Sequence, residues 1–469
     1  MISRVAVVGG GVAGATAAHR VRTLLPDADI TLVEASGVTG GKLRTAELAG
    51  RRVDVGAEAF LARRPEALAL VRELGLDDAL THPTDAGATV LAGGRPGRMP
   101  AGTMMGVPGS AGAVAGLLSP EGHARVAAER DRGPVRLPPG DVSLGALLRE
   151  RFGGELVDRL VDPLLGGVYA GGADGLGLRA TMPALAGALD DGVPSLTEAA
   201  AGLLPGTPNP APVFGTLTGG LGALVDRLLS RSRATVRTGV PVRAVHRIPG
   251  GWRLELGAAA SSHAPPDAWL EADAVILAVP APSARKLLAD VAPGASAAFG
   301  EVELASMAVV SLALPPGTVL PDASGVLIGA GERRADGTPF TVKAFTYSAR
   351  KWAHLGGAGE PPVLRGSVGR FGDPSGLHTD DDELVRRVRS DLAELAGVTA
   401  RPVDVRVTRW GGGLPQYGVG HLDRVGRIER AVGDVAGLEV AGASLHGVGI
   451  PACIASGDAA ARRLASGNR

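Results

Sequence analysis

A short apolar run, Val5-Ala6-Val7-Val8, passes directly into Gly9-Gly10-Gly11-Val12-Ala13-Gly14, and Glu34 closes a second run, Ile30-Thr31-Leu32-Val33. This is G-x-G-x-x-G between a strand and a helix, with an acid 20 residues beyond the last glycine. Gly9 permits the tight strand-to-helix turn. Gly11 leaves the backbone bare for a pyrophosphate, and Gly14 lets the helix rest close on the strand. The helix N-terminus presents free N–H groups and the positive end of its dipole. Glu34 is placed to accept from a ribose 2′-hydroxyl, and its charge opposes a 2′-phosphate. The segment therefore predicts a βαβ unit that binds FAD or NAD, not NADP. A glycine turn without a ligand is the alternative, and the acid together with the strand–helix context outweighs it.

Composition narrows the class. A chain of 469 residues with 45% hydrophobic content supports two or three cored domains. Its 71 glycines and 34 prolines punctuate apolar runs without a repeat, which argues against collagen-like or disordered character. The 48 basic and 48 acidic residues form no block of one sign, so nucleic acid is not an expected partner. The single cysteine, Cys453, excludes an internal disulfide and a Cys-rich metal site. It reads as a small buried hydrophobe. The N-terminal run lacks a basic flank and reads as a strand, not a signal peptide. The weakly apolar stretch Met104–Leu118 contains Pro108 and several glycines and is too short to span a bilayer. A soluble, cytoplasmic protein without a transmembrane segment is expected.

Periodicity predicts an α/β protein with a Rossmann-like lobe, a mixed-sheet lobe and a mostly helical insertion. Helix one runs from Val12 to Leu25, and another closes near Leu74–Leu76 with Gly75 as its stop. Ala88–Ala92 followed by Gly93-Gly94 reads as a short strand pair. From about 100 to 205 strand-like runs vanish, and helical spacing appears in Leu144–Phe152 and Leu156–Val161. Gly202–Pro212 reads as a linker. Strands are expected at Thr235–Thr238, Pro241–Ile248, Trp252–Leu256, Ala274–Val279, Ala308–Leu314, Val326–Ile328, Phe340–Thr346, Val363–Gly369 and Leu438–Gly442. Helices are expected at Leu221–Leu229, Asp380–Ala396 and Cys453–Ala465. The expected division is 1–90, 206–290 and 406–469 for the cofactor lobe, with 91–205 and 291–405 for the substrate lobe. An N-terminal βαβ unit and a C-terminal strand–glycine–helix far apart in sequence build one FAD site more naturally than a contiguous nicotinamide domain.

Several stretches together resemble the flavin-containing amine oxidase superfamily and, within it, the protoporphyrinogen/coproporphyrinogen oxidase family. They are Gly40-Gly41-Lys42-Leu43-Arg44-Thr45, Val53 to Leu61, Arg151-Phe152-Gly153, Pro163 to Gly171, Lys351-Trp352-Ala353-His354, Arg409-Trp410 through Leu414-Pro415-Gln416-Tyr417 to Gly420-His421, and Gly447 to Pro451. The resemblance implies a two-lobed flavoenzyme with FAD extended across the Rossmann-like lobe. It places FAD contacts on Gly9, Gly10, Gly11, Val12, Ala13, Gly14, Glu34, Ala35, Lys42, Gly56, Ala57, Glu58, Ala59, Val242, Trp410, Gly449, Ile450 and Pro451. Gly56-Ala57-Glu58-Ala59 departs from the Gly-Pro-Asp-Ser that the family often carries.

The reaction implied is the six-electron oxidation of a porphyrinogen to a porphyrin by FAD, with oxygen as acceptor and hydrogen peroxide as by-product. A hydride leaves a meso carbon while pyrrole protons depart, and the cofactor carries the hard step. No side-chain base is then demanded. The sequence agrees, with no Ser/His/Asp or Cys/His arrangement and no metal spacing such as H-E-x-x-H. No catalytic residue and no metal ligand is assigned. Coproporphyrinogen III is the expected substrate in a haem pathway, with protoporphyrinogen IX second and an amine oxidase or carotenoid desaturase more distant. A haem-pathway enzyme receiving the product is the one protein partner the resemblance suggests. The substrate's propionates call for arginines. Arg63, Arg64 and Arg98 are candidates by position, and solvated surface arginines are the simpler reading of each. Trp410 reads as either a core residue or a flavin contact. His354 and His421 read as structural hydrogen-bonders.

Overall fold

The computed structural model describes residues 2–206, 211–257 and 268–467. The expected linker Gly202–Pro212 lies partly outside these residues. The first sheet has five parallel strands in the order Thr235–Arg237, Asp29–Val33, Arg4–Val8, Ala274–Leu277, Leu438–Val440. Its central strands are apolar throughout because both faces are covered. Val5 and Val7 pack one way, against helices Val12–Leu24, Gly222–Ser232 and Ile450–Ser466. Ala6 and Val8 pack the other way. There they meet the antiparallel strands Val242–Ile248 and Gly251–Leu256 and helices Ala281–Leu288, Pro293–Gly300 and His421–Gly433.

The second sheet has seven strands, ordered Asp404–Pro415, Leu304–Ala313, Val363–Val368, Val342–Thr346, Gly325–Ile328, Ala88–Ala92, Arg95–Arg98. It is mixed, because Gly325–Ile328 and Ala88–Ala92 pair in parallel within an otherwise antiparallel sheet. Two of its strands, Ala88–Ala92 and Asp404–Pro415, cross the lobe boundaries expected at 90 and 405. One face carries helix Asp381–Ala396 through Leu384, Val388 and Leu392. That helix starts where the Asp380 side chain accepts the Glu383 N–H at 2.9 Å, and its acidic first turn suits the dipole. The opposite face turns toward the first sheet and the helical layer.

The helical layer has its own core, built on Leu144, Leu148, Phe152, Leu156, Leu160 and Leu165. Arg151 is buried in it and donates to Glu129 at 3.0 Å, while Glu129 accepts the N–H groups of Leu196 and Thr197 at the start of helix Leu196–Leu203. The Arg151-Phe152-Gly153 stretch is thus an internal tie. Three details differ from expectation. Val157–Val161 is a π-helical turn leading into helix Asp162–Tyr169, not an α-helix. Strands also persist after residue 100, as the small hairpin Thr103–Met104 with Val107–Pro108, turned by Met105 (φ 49°) and Gly106 (φ 91°). Helix Ile450–Ser466 begins at Ile450, ahead of the expected Cys453. No described helix is long and apolar enough to cross a membrane.

Candidate functional site

A cleft of about 610 Å³ opens between the two sheets. Its floor is the strand-to-helix turn after Arg4–Val8. Gly9 holds φ 108°, and a Cβ there would lie 2.3 Å from the Ala278 carbonyl oxygen. At Gly14 a Cβ would lie 2.0 Å from the Gly9 carbonyl oxygen, so only glycine lets the helix sit on the strand. Gly11 is different: nothing lies within 4 Å of the position its Cβ would take. No protein atom explains that glycine. The space beside it belongs to the cleft, as a bound phosphate requires. Gly40 and Gly41 stack on this turn, with the Gly40 N–H donating to the Gly10 carbonyl at 2.8 Å.

Two helix N-termini face the cleft, at Val12-Ala13 and at Gly449-Ile450. The two helices pack closely because Gly457 stands where a Cβ would meet the Ala13 carbonyl oxygen at 2.2 Å. Glu34 and Ala35 line the next part of the wall. The Glu34 carboxylate accepts the Gly10 N–H and the Ser36 N–H, each at 2.7 Å, which fixes it with lone pairs to spare for a ribose. Val242, at the head of its strand, follows. Lys42 also lines the cleft, and burial lowers its ammonium pKa below the ordinary value. A cation desolvated beside bare glycine backbone is a donor set suited to a diphosphate. These features fit a dinucleotide cofactor.

The far end is lined by Gly56, Ala57, Ala59, Trp410 and Cys453. Trp410 Nε1 donates to the Val55 carbonyl at 3.1 Å, and the Arg44 guanidinium lies 5.5 Å from the ring centre. The ring is therefore clamped by the protein and also lines the cleft. Burial pushes the Cys453 thiol up to about 11, against the pull of Lys42, so it stays protonated. Gly10, Gly14, Glu58 and Pro451, though expected at the cofactor, do not line the cleft. Gly10 and Gly14 serve the turn itself. Pro451 is buried one residue behind the Gly449-Ile450 wall, in the first turn of its helix.

Glu58 points away, into a buried ion cluster. Its carboxylate meets Lys351 Nζ at 2.8 Å and Arg365 Nε at 3.1 Å. Burial alone would raise the Glu58 carboxyl, but the Arg365 and Lys351 charges outweigh it and hold it at about 2. Arg365 also donates to the Gly56 carbonyl at 2.7 Å and lines the cleft. The departure from Gly-Pro-Asp-Ser thus carries an acid that anchors Lys351 of the Lys-Trp-Ala-His stretch. His354 is half-buried beside this cluster, and His421 is fully buried. His421 stacks on Tyr417 with ring centres 3.8 Å apart, and its Nε2 lies 2.8 Å from the Leu445 carbonyl. Tyr417 donates to the Ala443 carbonyl at 2.6 Å. Both tie the exit of strand Asp404–Pro415 to the cleft segment Gly442–Ser444.

The wall facing the glycines is Met307, Val309, Leu414 and Pro415, with Gly167 and Val168 from the helical layer. Sequence reasoning did not single out Met307, Val309 or Arg365. Alternation was the available signal: Ala308, Val310 and Leu312 pack under helix Asp381–Ala396, so Met307 and Val309 must face the other way. Among the described residues no cluster of side chains could hold a metal ion.

Residues 13–465 match the family described as flavin containing amine oxidoreductase. The chain is 44% identical to a coproporphyrinogen III oxidase of Mycobacterium tuberculosis (strain H37Rv), over 96% of this chain and 94% of the relative. It is 32% identical to a coproporphyrinogen III oxidase of Bacillus subtilis, over 97% and 96%. A crystal structure from Exiguobacterium sp. 255-15, described provisionally as a protoporphyrinogen oxidase, superposes with TM-score 0.85 at 31% identity over 99% of both chains. The chain belongs to the flavin-containing amine oxidoreductase family, and the dinucleotide cradle makes its flavin FAD.

Proposed function

We propose that this flavoenzyme oxidises coproporphyrinogen III to coproporphyrin III, with oxygen as the electron acceptor and hydrogen peroxide as by-product. The observation that carries the reading is the near full-length 44% identity to proteins of that name. The geometry of the cleft supports it. One wall is a backbone cradle, and the other is a broad apolar surface spanning a sheet and a helix.

The cradle residues divide the cofactor among them. Gly9 to Gly11, the N-terminus at Val12 and Gly40 to Lys42 take the diphosphate. Glu34 accepts the ribose hydroxyl, and Val242 offers a strand edge to the adenine. Gly56, Ala57, Ala59, Trp410 and Gly449-Ile450 surround the ring end. Bound there, FAD supplies the hydride acceptor and its reoxidation by oxygen. The chain's own work is placement. Met307, Val309, Leu414 and Val168 hold an apolar macrocycle and exclude water from it. Arg365, fixed between Glu58 and the Gly56 carbonyl, keeps the sheet wall at a set distance from the cradle. The titratable side chains on the cleft wall are Glu34, Lys42, Arg365 and Cys453. The first two belong to the cofactor end, Arg365 is tied to Glu58 and Cys453 holds its proton. None of the four is placed as a base for the pyrrole protons.

The purified protein should be yellow and release FAD on heating. Mixed with coproporphyrinogen III in air, it should generate porphyrin fluorescence and peroxide well above the autoxidation control. Rates no higher than that control with either porphyrinogen would defeat the reading. A faster rate with protoporphyrinogen IX would shift it to the reaction suggested by the name of the Exiguobacterium neighbour.

A further inference from the structure

Among the described residues, one lysine ammonium is buried without a hydrogen-bond partner. Lys343 sits in strand Val342–Thr346, near the middle of the seven-stranded sheet. The residue is 4% exposed, and its Nζ is buried without a hydrogen-bond partner. Val342 and Phe345 pack with Leu384 and Val388 under the outer helix. Alternation along the strand sets Lys343 on the face opposite Val342, and the register shift between Val342 and Ala344 returns Phe345 to the packed face. That is the face from which Met307, Val309 and Arg365 reach the cleft.

Helix Asp162–Tyr169 lies over this strand, and its Gly167 and Val168 form the cleft wall. The charge acting on Lys343 is a like one, the Arg370 guanidinium. Arg370 donates to the Ile328 carbonyl at 2.9 Å and comes within 3.9 Å of where a Gly166 Cβ would stand. Asp162 acts on Arg370 rather than on Lys343, and Arg149 lies 3.8 Å from Asp162. An uncompensated buried ammonium costs several kcal/mol in a fold that could have placed an apolar residue there. Burial, then Arg370, lowers the Lys343 ammonium to about 7, so the fold by itself leaves it short of a counter-charge. The covering helix is entered through the π-helical turn Val157–Val161, a register defect of the kind that gathers at functional sites.

We propose that Lys343, backed by Arg370, is a carboxylate subsite that takes one acidic side chain of the substrate at the sheet end of the cleft. The proposal rests on the reading that the substrate is a porphyrinogen bearing propionates. In the resting structure the ammonium is enclosed beneath helix Asp162–Tyr169. Its four-carbon stem swings toward the cleft past Gly167 when a carboxylate arrives, and the incoming charge restores the proton that burial weakens. Lys343 is a positioning residue for substrate and takes no part in electron transfer.

The test is Lys343→Met, with Lys343→Arg beside it, both as FAD-loaded protein. The measurements are FAD content, thermal midpoint, steady-state KM and kcat, and the dissociation constants of coproporphyrin III, protoporphyrin IX and coproporphyrin III tetramethyl ester by fluorescence quenching. Lys343→Met is expected to keep its flavin and melt no lower than the parent. It should bind both acids roughly tenfold or more weakly, leave the ester unchanged and raise KM more than it lowers kcat. Lys343→Arg should recover part of the affinity. Equal affinity of parent and Lys343→Met for the acids overturns the subsite, as does an equal loss for acid and ester. If protoporphyrinogen IX proves the better substrate, the coproporphyrinogen reading falls, while a selective loss for the acids still upholds the subsite. No binding of either porphyrin by the parent overturns both.

Discussion

On the cradle side of the cleft, Gly9, Gly11 and Gly14 lie within a single turn of chain, and their roles follow from backbone geometry. On the sheet side, Met307, Val309, Arg365 and Trp410 come from three strands that pairing alone brings together. The cradle recognises groups common to every dinucleotide, using N–H groups and absent side chains. On the proposed reading the sheet wall meets the substrate, using side chains whose direction depends on register. A local motif can therefore name the cofactor class, whereas the reaction is written in contacts distant in sequence.

The largest expected effect separates two roles inside the cradle. Gly11→Val has room in the protein, since its Cβ meets no atom, yet it fills the phosphate space. It should fold, purify colourless and lack activity. Gly14→Val drives a side chain into the Gly9 carbonyl and should fail to give soluble folded protein. Circular dichroism and the flavin absorbance distinguish the two; stoichiometric FAD in Gly11→Val would show the phosphate to lie elsewhere.

Next in size is the ion cluster that joins the two walls. Glu58→Gln leaves Lys351 and Arg365 without their shared carboxylate and should cost about 3 kcal/mol of stability. Because the Glu58 carboxyl is held at about 2, its contribution is full above its ordinary value of 4.5 and is lost as pH falls from there through 2. Denaturant titrations at neutral pH and at pH 3 should show the parent–variant gap narrowing in acid. A constant gap would mean that the cluster is not ionic.

His421 ties the end of the sheet strand to the C-terminal part of the cradle. Burial lowers its imidazole from 6.5 to about 4, so the folded protein binds its proton more weakly than the unfolded chain. Its contribution is full above 6.5 and falls away as pH drops through 4, by about 3 kcal/mol. His421→Asn should therefore show a flatter decline in melting temperature between pH 6.5 and 4 than the parent. The smallest effect belongs to Arg64, a candidate for the substrate's propionates by position. It spends its charge on Glu66 at the surface, at 2.6 Å with half its side chain exposed. Arg64→Ala should change stability by no more than about 0.5 kcal/mol and leave KM where it was.

These sizes follow what could be read from the chain. Cradle glycines and Glu34 were legible because they fall in one short stretch of chain: the turn itself sets φ 108° at Gly9, and Gly14 must clear the Gly9 carbonyl five residues before it. The apolar strands of both sheets were legible by their runs, and helix Asp381–Ala396 by its acidic cap. The partner of Glu58 was not, because Lys351 and Arg365 reach it only through tertiary folding. The same holds for Lys343, which is covered by helix Asp162–Tyr169 only in the tertiary fold. Helix His421–Gly433 appeared in sequence only as the tail of a motif, and the π turn at Val157–Val161 has the same apolar spacing as an α-helix.

The central claim is that one cleft holds flavin on its glycine wall and a porphyrinogen against its sheet wall. Anaerobic mixing of the FAD-loaded protein with coproporphyrinogen III in a stopped-flow spectrophotometer tests it most directly. The account predicts that the oxidised flavin bands bleach, faster than with protoporphyrinogen IX, and that admitting oxygen restores them with release of peroxide. Flavin that stays oxidised in the presence of excess coproporphyrinogen III would contradict it.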